Sequence, residues 1–158
     1  MKRLIVRMGV TILALVAAIQ LIRPQRDNPA TVAGRAIENH VPMTLRAHAV
    51  FERACRDCHT SRTRWPWYSH VAPASWIVAE HVNHARSHLN VSEWGAYATP
   101  DARARLEGMC KLAREGSMPL PSYLWLHRDA RLSGQDVEDL CAWTRAAIES
   151  LQNAPASR

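Results

Sequence analysis

Two cysteines and a histidine lie within one short segment and have the types and spacing of a cofactor attachment site. They are Cys55, Cys58 and His59 in the stretch CRDCH. Two thiols three residues apart lie on one side of a helical turn, where they can add to the two vinyl groups of a haem. The next residue, His59, then offers its imidazole to the iron. This C-x-x-C-H motif is the attachment signature of c-type haem, and it predicts one covalently bound haem c.

Two other kinds of site use pairs of cysteines. A structural zinc site needs a second Cys or His pair at finger-like spacing, whereas Cys110 and Cys141 stand alone in the sequence. A thioredoxin-like redox pair needs a βαβ context, which the hydrophobic pattern lacks. Haem attachment is therefore the interpretation of the motif that we adopt.

A second axial ligand decides what chemistry a haem can do, and Met118 is the leading candidate. It lies on a loop before the last predicted helix and is followed by Pro119, which favours an extended backbone at Met118. A thioether ligand would complete the His/Met pair of an electron carrier. The alternatives are a methionine that fills a gap in the core and ligation by His127 instead.

Three further histidines share one face of the second helix predicted in the domain. His81, His84 and His88 are spaced at i, i+3 and i+7. We expect them to line a solvated flank of that helix. Haem ligation by His81 or His88 and a separate transition-metal site are the alternatives.

The loop after the haem motif is rich in arginine and aromatic residues. Arg62 and Arg64 can pair with the haem propionates, and Trp65 and Tyr68 can donate hydrogen bonds to them. Arg64, Trp65 and Tyr68 are therefore candidate haem-binding residues. The alternative is a small aromatic core with exposed arginines.

The spacing of apolar residues places these side chains on helices and on the loops between them. Apolar residues recur at three- and four-residue steps, and no segment shows the alternation of a strand. The fold class predicted is all-α, a cytochrome c-like haem-binding domain preceded by one membrane-spanning helix. Helices are predicted from residue 43, over 73–89, from a Thr99 cap with Pro100 in the first turn to Gly116, and from Ser133 with Asp136 in a capping box.

The two remaining cysteines, Cys110 and Cys141, fall on the apolar stripes of the last two predicted helices. A disulfide and a pair of buried free thiols both fit this pattern. An oxidising compartment favours the disulfide.

The net charge of +6 does not indicate a nucleic-acid-binding protein. Four of these charges lie on Lys2, Arg3, Arg7 and Arg23, ahead of a nearly balanced remainder. No run of lysine and arginine resembles a patch that follows phosphates. We therefore expect no nucleic-acid partner.

The basic and apolar N-terminal segment predicts a membrane anchor. Residues 8–22 form an apolar run, and counting from Leu4 gives a stretch long enough to cross a bilayer if Arg7 reaches the headgroups. A signal peptide cleaved after Ala18 is the alternative. We expect a single-pass inner-membrane protein with its C-terminal domain in the periplasm. The expected segments are a membrane-spanning helix at 1–23, a tether at 24–42, a haem-binding domain at 43–152 and a flexible tail at 153–158.

Several stretches of the chain resemble one bacterial family. They are IRP, CRDCHT, RWPWYS, VAPASW, HLNVSEW and EGSMPLPSYLWLH with LS soon after, and they cover most of residues 21–143. The chain resembles the haem-binding domain family of membrane-anchored, single-haem cytochrome c-like proteins. The RWPWYS and LNVSEW stretches carry this resemblance, since all c-type cytochromes share C-x-x-C-H. The resemblance implies haem c and a mostly helical, cytochrome c-like fold.

Taken together, these features predict a membrane-tethered monohaem cytochrome rather than an enzyme. It would carry single electrons between redox proteins on the periplasmic side, either alone or as a subunit of a membrane redox complex. The alternative is a gas sensor or peroxidase-like centre. In that case a displaceable sixth ligand leaves room for a distal acid–base group such as His81, His88 or His127.

Overall fold

The structure, a computed structural model, describes residues 1–153. These residues form helices and no β-strand, which confirms the all-α prediction. Of the predicted tail, residues 154–158 lie outside the described residues. The α-helices are α1 (Lys2–Ile19), α2 (Leu45–Ala54), α3 (Arg56–His59), α4 (Ala74–His88), α5 (Thr99–Arg114) and α6 (Gly134–Asn153), with short 3-10 helices at Ile37–Asn39, Trp67–His70, Val91–Ala96, Tyr123–Trp125 and Arg128–Ala130.

Local sequence signals explain where two of these helices begin. The hydroxyl of Thr44 accepts a hydrogen bond from a backbone N–H in the first turn of α2. At α6 the Asp136 N–H donates to the Ser133 hydroxyl at 3.1 Å, and the Ser133 N–H donates to the Asp136 carboxylate at 2.8 Å. This confirms the predicted capping box. Helix α5 has Ala98 as its N-cap, so Thr99 is its first residue rather than its cap.

The hydrophobic core of the domain lies between α2, α5 and α6. Helix α5 packs along α6, with Leu106 and Leu140 both buried at this contact. A disulfide between Cys110 and Cys141 joins the same two helices, with the two Cα atoms 4.8 Å apart. Other buried members of the core are Phe51, Leu89, Val91, Trp94 and Trp143.

Part of the segment predicted as a tether lies in this core. Ile37 and Val41 are 0% and 1% exposed. The Val41 N–H donates to the Ile37 carbonyl at 2.8 Å, which places both side chains on one side of the chain. The Gly95 N–H donates to the Arg35 carbonyl at 2.9 Å and fastens the segment to the domain. Two apolar residues are too few to produce a periodic pattern, so the sequence did not reveal this packing.

The N-terminal helix contradicts the predicted membrane anchor. Helix α1 has no buried residue and ends at Ile19, where the chain turns back to the domain at Gln20. Three basic residues lie in its first turns, so its uncharged part, residues 8–19, is only about 18 Å long, against a bilayer core of roughly 30 Å. Within residues 1–153, no helix combines the length and the apolar character needed to cross a membrane. The predicted membrane-spanning helix and the predicted single-pass inner-membrane location are therefore wrong.

Candidate haem site

A single helical turn brings the two motif cysteines together. Cys55 ends α2 and precedes α3, and its carbonyl accepts hydrogen bonds from the N–H groups of Cys58 and His59 at 3.3 and 3.0 Å. Neither Cys55 nor Cys58 forms a disulfide. Burial raises the pKa of Cys55 to about 12 and that of Cys58 to about 11. Both are therefore protonated thiols at neutral pH, which can add across carbon–carbon double bonds but are poor metal ligands.

The imidazole of His59 is oriented by a backbone carbonyl. Its Nδ1 lies 3.0 Å from the Leu89 carbonyl oxygen. A carbonyl oxygen only accepts hydrogen bonds, so we assign the proton to Nδ1, which leaves the lone pair of Nε2 free. Burial lowers the pKa of His59 and keeps the ring neutral, as a metal ligand must be. A histidine held through its other ring nitrogen is the usual arrangement of a metal-ligating imidazole.

The loop that begins at Leu89 is itself held in place around this carbonyl. The Leu89 N–H donates to the Ala85 carbonyl at 2.8 Å at the end of α4. The next N–H, that of Asn90, donates to the Tyr97 hydroxyl at 2.8 Å. The Asn90 side chain donates to the Ser61 hydroxyl at 3.1 Å, just beyond the haem motif. These bonds connect α4 and the motif, so the acceptor of His59 has a defined position.

Arg86 is the most extensively hydrogen-bonded side chain beside the motif. From α4 its guanidinium donates to the Thr60 carbonyl and the Thr63 hydroxyl, both at 2.8 Å. It also donates to the Asp27 carbonyl at 2.7 Å and to the Asn28 side-chain oxygen at 2.9 Å. Arg86 therefore joins three segments of the chain that meet at the haem motif.

Residues 20–28 form a strap, our name for the segment that follows α1 and lies along this edge of the domain. The Asn28 side chain pairs with both backbone groups of Thr63, donating to its carbonyl at 2.9 Å and accepting from its N–H at 3.1 Å. Thr63 in turn donates its hydroxyl proton to the Asp57 carbonyl, inside the motif. Gln20 makes the same kind of two-way pairing with the backbone of Ala72. The strap thus supports the motif from outside.

Replacing Arg86 with alanine is expected to lower the free energy of unfolding by about 2–4 kcal/mol, because acceptors on the buried residues Thr60 and Thr63 lose their donor, together with two exposed acceptors on Asp27 and Asn28. Guanidinium unfolding followed by circular dichroism measures the loss. The matched control is Arg103→Ala, whose partner is Glu107 on the exposed face of α5. That control is expected to change stability by less than about 0.5 kcal/mol. Equal losses in the two variants would contradict the role given to Arg86.

The three residues predicted to bind propionates have different surroundings. Arg64 is exposed and contacts the Asp57 carboxylate at 3.2 Å. The indole nitrogen of Trp65 is buried and has no hydrogen-bond partner within residues 1–153. A buried N–H without an acceptor lowers the stability of the folded protein, and a propionate oxygen is a suitable acceptor for this one. The Tyr68 hydroxyl already has a protein partner, Nε2 of His127 at 2.7 Å.

The methionines separate into core residues and one loop residue. Met43 and Met109 pack against the hydrophobic core. Met118 lies outside that cluster, half-buried on the loop after α5, and its N–H donates to the Leu112 carbonyl at 3.2 Å. Its thioether is therefore not occupied by core packing, and its ligation of iron stays a prediction.

The histidine alternatives for the sixth ligand are differently placed. His84 and His88 have ring centroids 4.5 Å apart on the exposed side of α4, and His81 is half-buried. No group of three or more His, Cys, Asp or Glu side chains in the described part of the chain can hold a metal ion. The separate metal site considered for these histidines is therefore not formed. His127 stacks on Tyr123, with centroids 4.0 Å apart and planes 7° from parallel.

Four site residues escaped the sequence analysis. Leu89 acts through its backbone carbonyl, and a backbone contact leaves no trace in residue type. Arg86 and Asn28 carry no local motif, since their partners are distant in sequence. Tyr123 lies in the same stretch as Met118 and His127, and its four-residue spacing from His127 on a turn was the available signal.

Comparison with known proteins gives one match. The profile of the family described as a haem-binding domain matches residues 14–146, which include the motif, the strap and the loop of Met118. No curated protein matches the chain. No solved structure matches it either.

Proposed function

Because the chain belongs to the haem-binding domain family, we propose that it is a monohaem c-type cytochrome that carries single electrons between redox proteins. The observation that carries the proposal is the geometry of the motif. Cys55 and Cys58 are free thiols on one turn, and His59 is a neutral imidazole whose Nδ1 is bound and whose Nε2 is free.

The residues present fit a covalent haem. Each thiol S–H would add across one vinyl C=C bond, so that sulfur bonds to one carbon and the proton goes to the other, with no leaving group. His59 would ligate the iron through Nε2 while Leu89 holds the ring. Trp65 would satisfy its unpaired N–H on a propionate, and Arg64 would lie near enough to the motif to balance charge.

The bound haem would supply a one-electron ferric/ferrous couple. The chain's contribution is to hold the ligands still, so that little rearrangement accompanies a change of iron charge. The bonds from Arg86 and Asn28 to the loop after the motif, and from Asn90 to Ser61, serve this purpose. Ligands held in fixed positions suit an electron carrier better than a site that must open for substrate.

Met118 is the sixth ligand in this proposal. The position of Met118 supports this assignment, because Met118 lies outside the core, on the loop that leads to Tyr123 and His127. A His/Met pair stabilises ferrous iron and raises the reduction potential relative to two histidines. It also fills the coordination sphere, which suits transfer of electrons rather than binding of gases.

Replacing Met118 with alanine is expected to abolish the methionine–iron charge-transfer band of the ferric protein. The reduction potential should fall by on the order of 0.1–0.3 V, a fraction of the roughly 0.8 V range that axial ligands span. Optical spectra and potentiometry of the full chain, matured with haem, measure both changes. The matched control is Met109→Ala, which removes a methionine that packs against the core and should leave the band in place.

The same spectra test the function itself. An unaltered protein that is six-coordinate and low-spin, and whose ferrous form does not take up CO, supports the electron carrier. Ready binding of CO to a five-coordinate ferrous haem would support the gas-binding or peroxidase-like alternative. An unchanged charge-transfer band in Met118→Ala would reject Met118 as the ligand.

A further inference from the structure

A cluster of aromatic rings lies beside the haem motif and has no role in the proposed electron transfer. Tyr68 and His127 are hydrogen-bonded across 59 residues of sequence. Tyr123 stacks on a face of the His127 ring, and Trp67 meets the Tyr68 ring edge to face at 5.8 Å. Phenols and indoles are the side chains that lose single electrons most readily after thiols. The cluster is therefore placed and composed for redox chemistry of its own.

We propose that Tyr68 and His127 form a proton-coupled electron-donor site, in which Tyr68 gives one electron to a strong one-electron oxidant at the haem and passes its phenolic proton to His127. This inference rests on the haem of the proposed function. It adds a second redox centre to the chain, made of protein side chains alone.

The hydrogen bond between the two rings has the geometry that such a step needs. The Tyr68 oxygen and His127 Nε2 are 2.7 Å apart, at the short end of the range for direct proton transfer. A neutral phenol has one proton to donate, so we assign Nε2 as its acceptor and the proton of His127 to Nδ1. Burial raises the pKa of Tyr68, so the phenol is protonated before oxidation. A neutral imidazole partner makes oxidation of Tyr68 easier. The imidazole takes the phenolic proton as the electron leaves, so the very acidic phenol radical cation does not have to form.

The cluster lies close to the cysteines that would carry the haem. Burial raises the pKa of Tyr68 and of Tyr123, and the negative charge of Asp57, the residue next to Cys58, raises both further. Arg64 links the loop of Tyr68 to the motif directly, through its 3.2 Å contact with Asp57. An oxidant bound at Cys58 would therefore have Tyr68 as a near neighbour.

The surroundings of the pair favour transfer through this tyrosine. The His127 ring stacks on Tyr123, with the ring centroids 4.0 Å apart. This stacking fixes the orientation of the imidazole that is hydrogen-bonded to the Tyr68 hydroxyl. Trp67 is 77% exposed, so its contact with Tyr68 continues the cluster to the protein surface. A reductant at the protein surface can thus supply an electron that reaches the haem site by way of Trp67 and Tyr68.

The electrons and protons of the step balance. At Tyr68 the O–H bond breaks, an N–H bond forms at Nε2 of His127, and one electron passes to the haem site. Hydrogen peroxide would be an oxidant of sufficient strength: with two electrons drawn through the haem site and two protons from solvent, it would end as two water molecules. Tyr68 returns one of these electrons, and a one-electron reductant, the redox partner of the proposed function, returns the other.

The test uses the full chain with its haem attached, in the ferric state. Hydrogen peroxide is added, the sample is frozen within seconds, and electron paramagnetic resonance records any organic radical. Ring-deuterated tyrosine distinguishes a tyrosyl from a tryptophanyl radical by its narrower signal. If peroxide leaves the haem spectrum unchanged, light-generated tris(bipyridine)ruthenium(III) is the oxidant, since it needs no open position on iron.

The expected result is a tyrosyl radical that Tyr68→Phe removes almost completely. The His127→Gln variant, which cannot take up the proton, should lose most of it. His84→Gln is the matched control, because His84 lies on the exposed side of α4, where its ring contacts His88 rather than a tyrosine. That variant should keep the radical. A radical that survives Tyr68→Phe, or no tyrosyl radical with either oxidant, would overturn the inference. A haem that is not covalently bound or does not cycle between ferric and ferrous would instead overturn the proposed function.

Discussion

Replacing Cys55 and Cys58 together with alanine is expected to abolish covalent attachment of haem to this chain. The two thiols lie on one turn after α2, and neither forms a disulfide. Without sulfur at these positions no thioether can form, whatever else binds the haem. Denaturing gels stained for haem peroxidase activity and the intact mass of the purified chain measure attachment.

The expected loss is complete for the double variant. Any haem it retains would be extracted by acidified organic solvent, since only the coordinate bonds of His59 and Met118 would hold it, and acid breaks the first of these by protonating the imidazole. The pyridine haemochrome spectrum would also shift, because the vinyl groups would be unreacted. Single variants at Cys55 or Cys58 should keep one thioether or fail to mature.

The other two cysteines are the natural control for this experiment. A variant with Cys110 and Cys141 both changed to alanine removes the same number of sulfur atoms from the α5–α6 contact. It should keep its covalent haem. Haem that stays covalently bound after loss of Cys55 and Cys58 would contradict the assignment of the motif.

The same control variant, in which both cysteines of the disulfide are replaced, is expected to be the least stable of these variants. The disulfide joins residues 31 apart in sequence, and closing a loop of that length restricts the unfolded chain by about 4 kcal/mol. Cys141 is also buried, so its loss removes packing as well. Guanidinium unfolding, followed by tryptophan fluorescence, measures the change in free energy.

Chemical reduction offers an independent measurement of the same contribution. Dithiothreitol reduces a disulfide but leaves thioethers intact, so the unaltered holoprotein should lose a similar free energy on reduction and keep its haem. Arg103→Ala, on the exposed face of α5, should respond to dithiothreitol as the unaltered chain does. A loss below about 1 kcal/mol would show that the disulfide does not constrain the unfolded chain as the loop length implies.

Much of the helical framework could be predicted from local signals. The periodicity of apolar residues placed α4, α5 and α6 within a residue or two of their observed bounds, and Ser133 with Asp136 marked the start of α6. Capping and periodicity are interactions between near neighbours in the chain, so they can be read without knowing the fold. The N-terminal helix was misjudged because apolar composition does not show where a helix ends. Gln20 ends α1 by pairing with Ala72, a distant residue.

By itself the sequence determined which residues we propose for the chemistry of the site, since Cys55, Cys58 and His59 would act through their own atoms, at a spacing that places them on one helical turn. Only the tertiary structure decided how that turn is supported. The Leu89 carbonyl on His59, the four bonds of Arg86 and the contact between Tyr68 and His127 each join segments far apart in the chain. Such contacts depend on how helices pack, and packing depends on the whole set of buried side chains rather than on any local pattern.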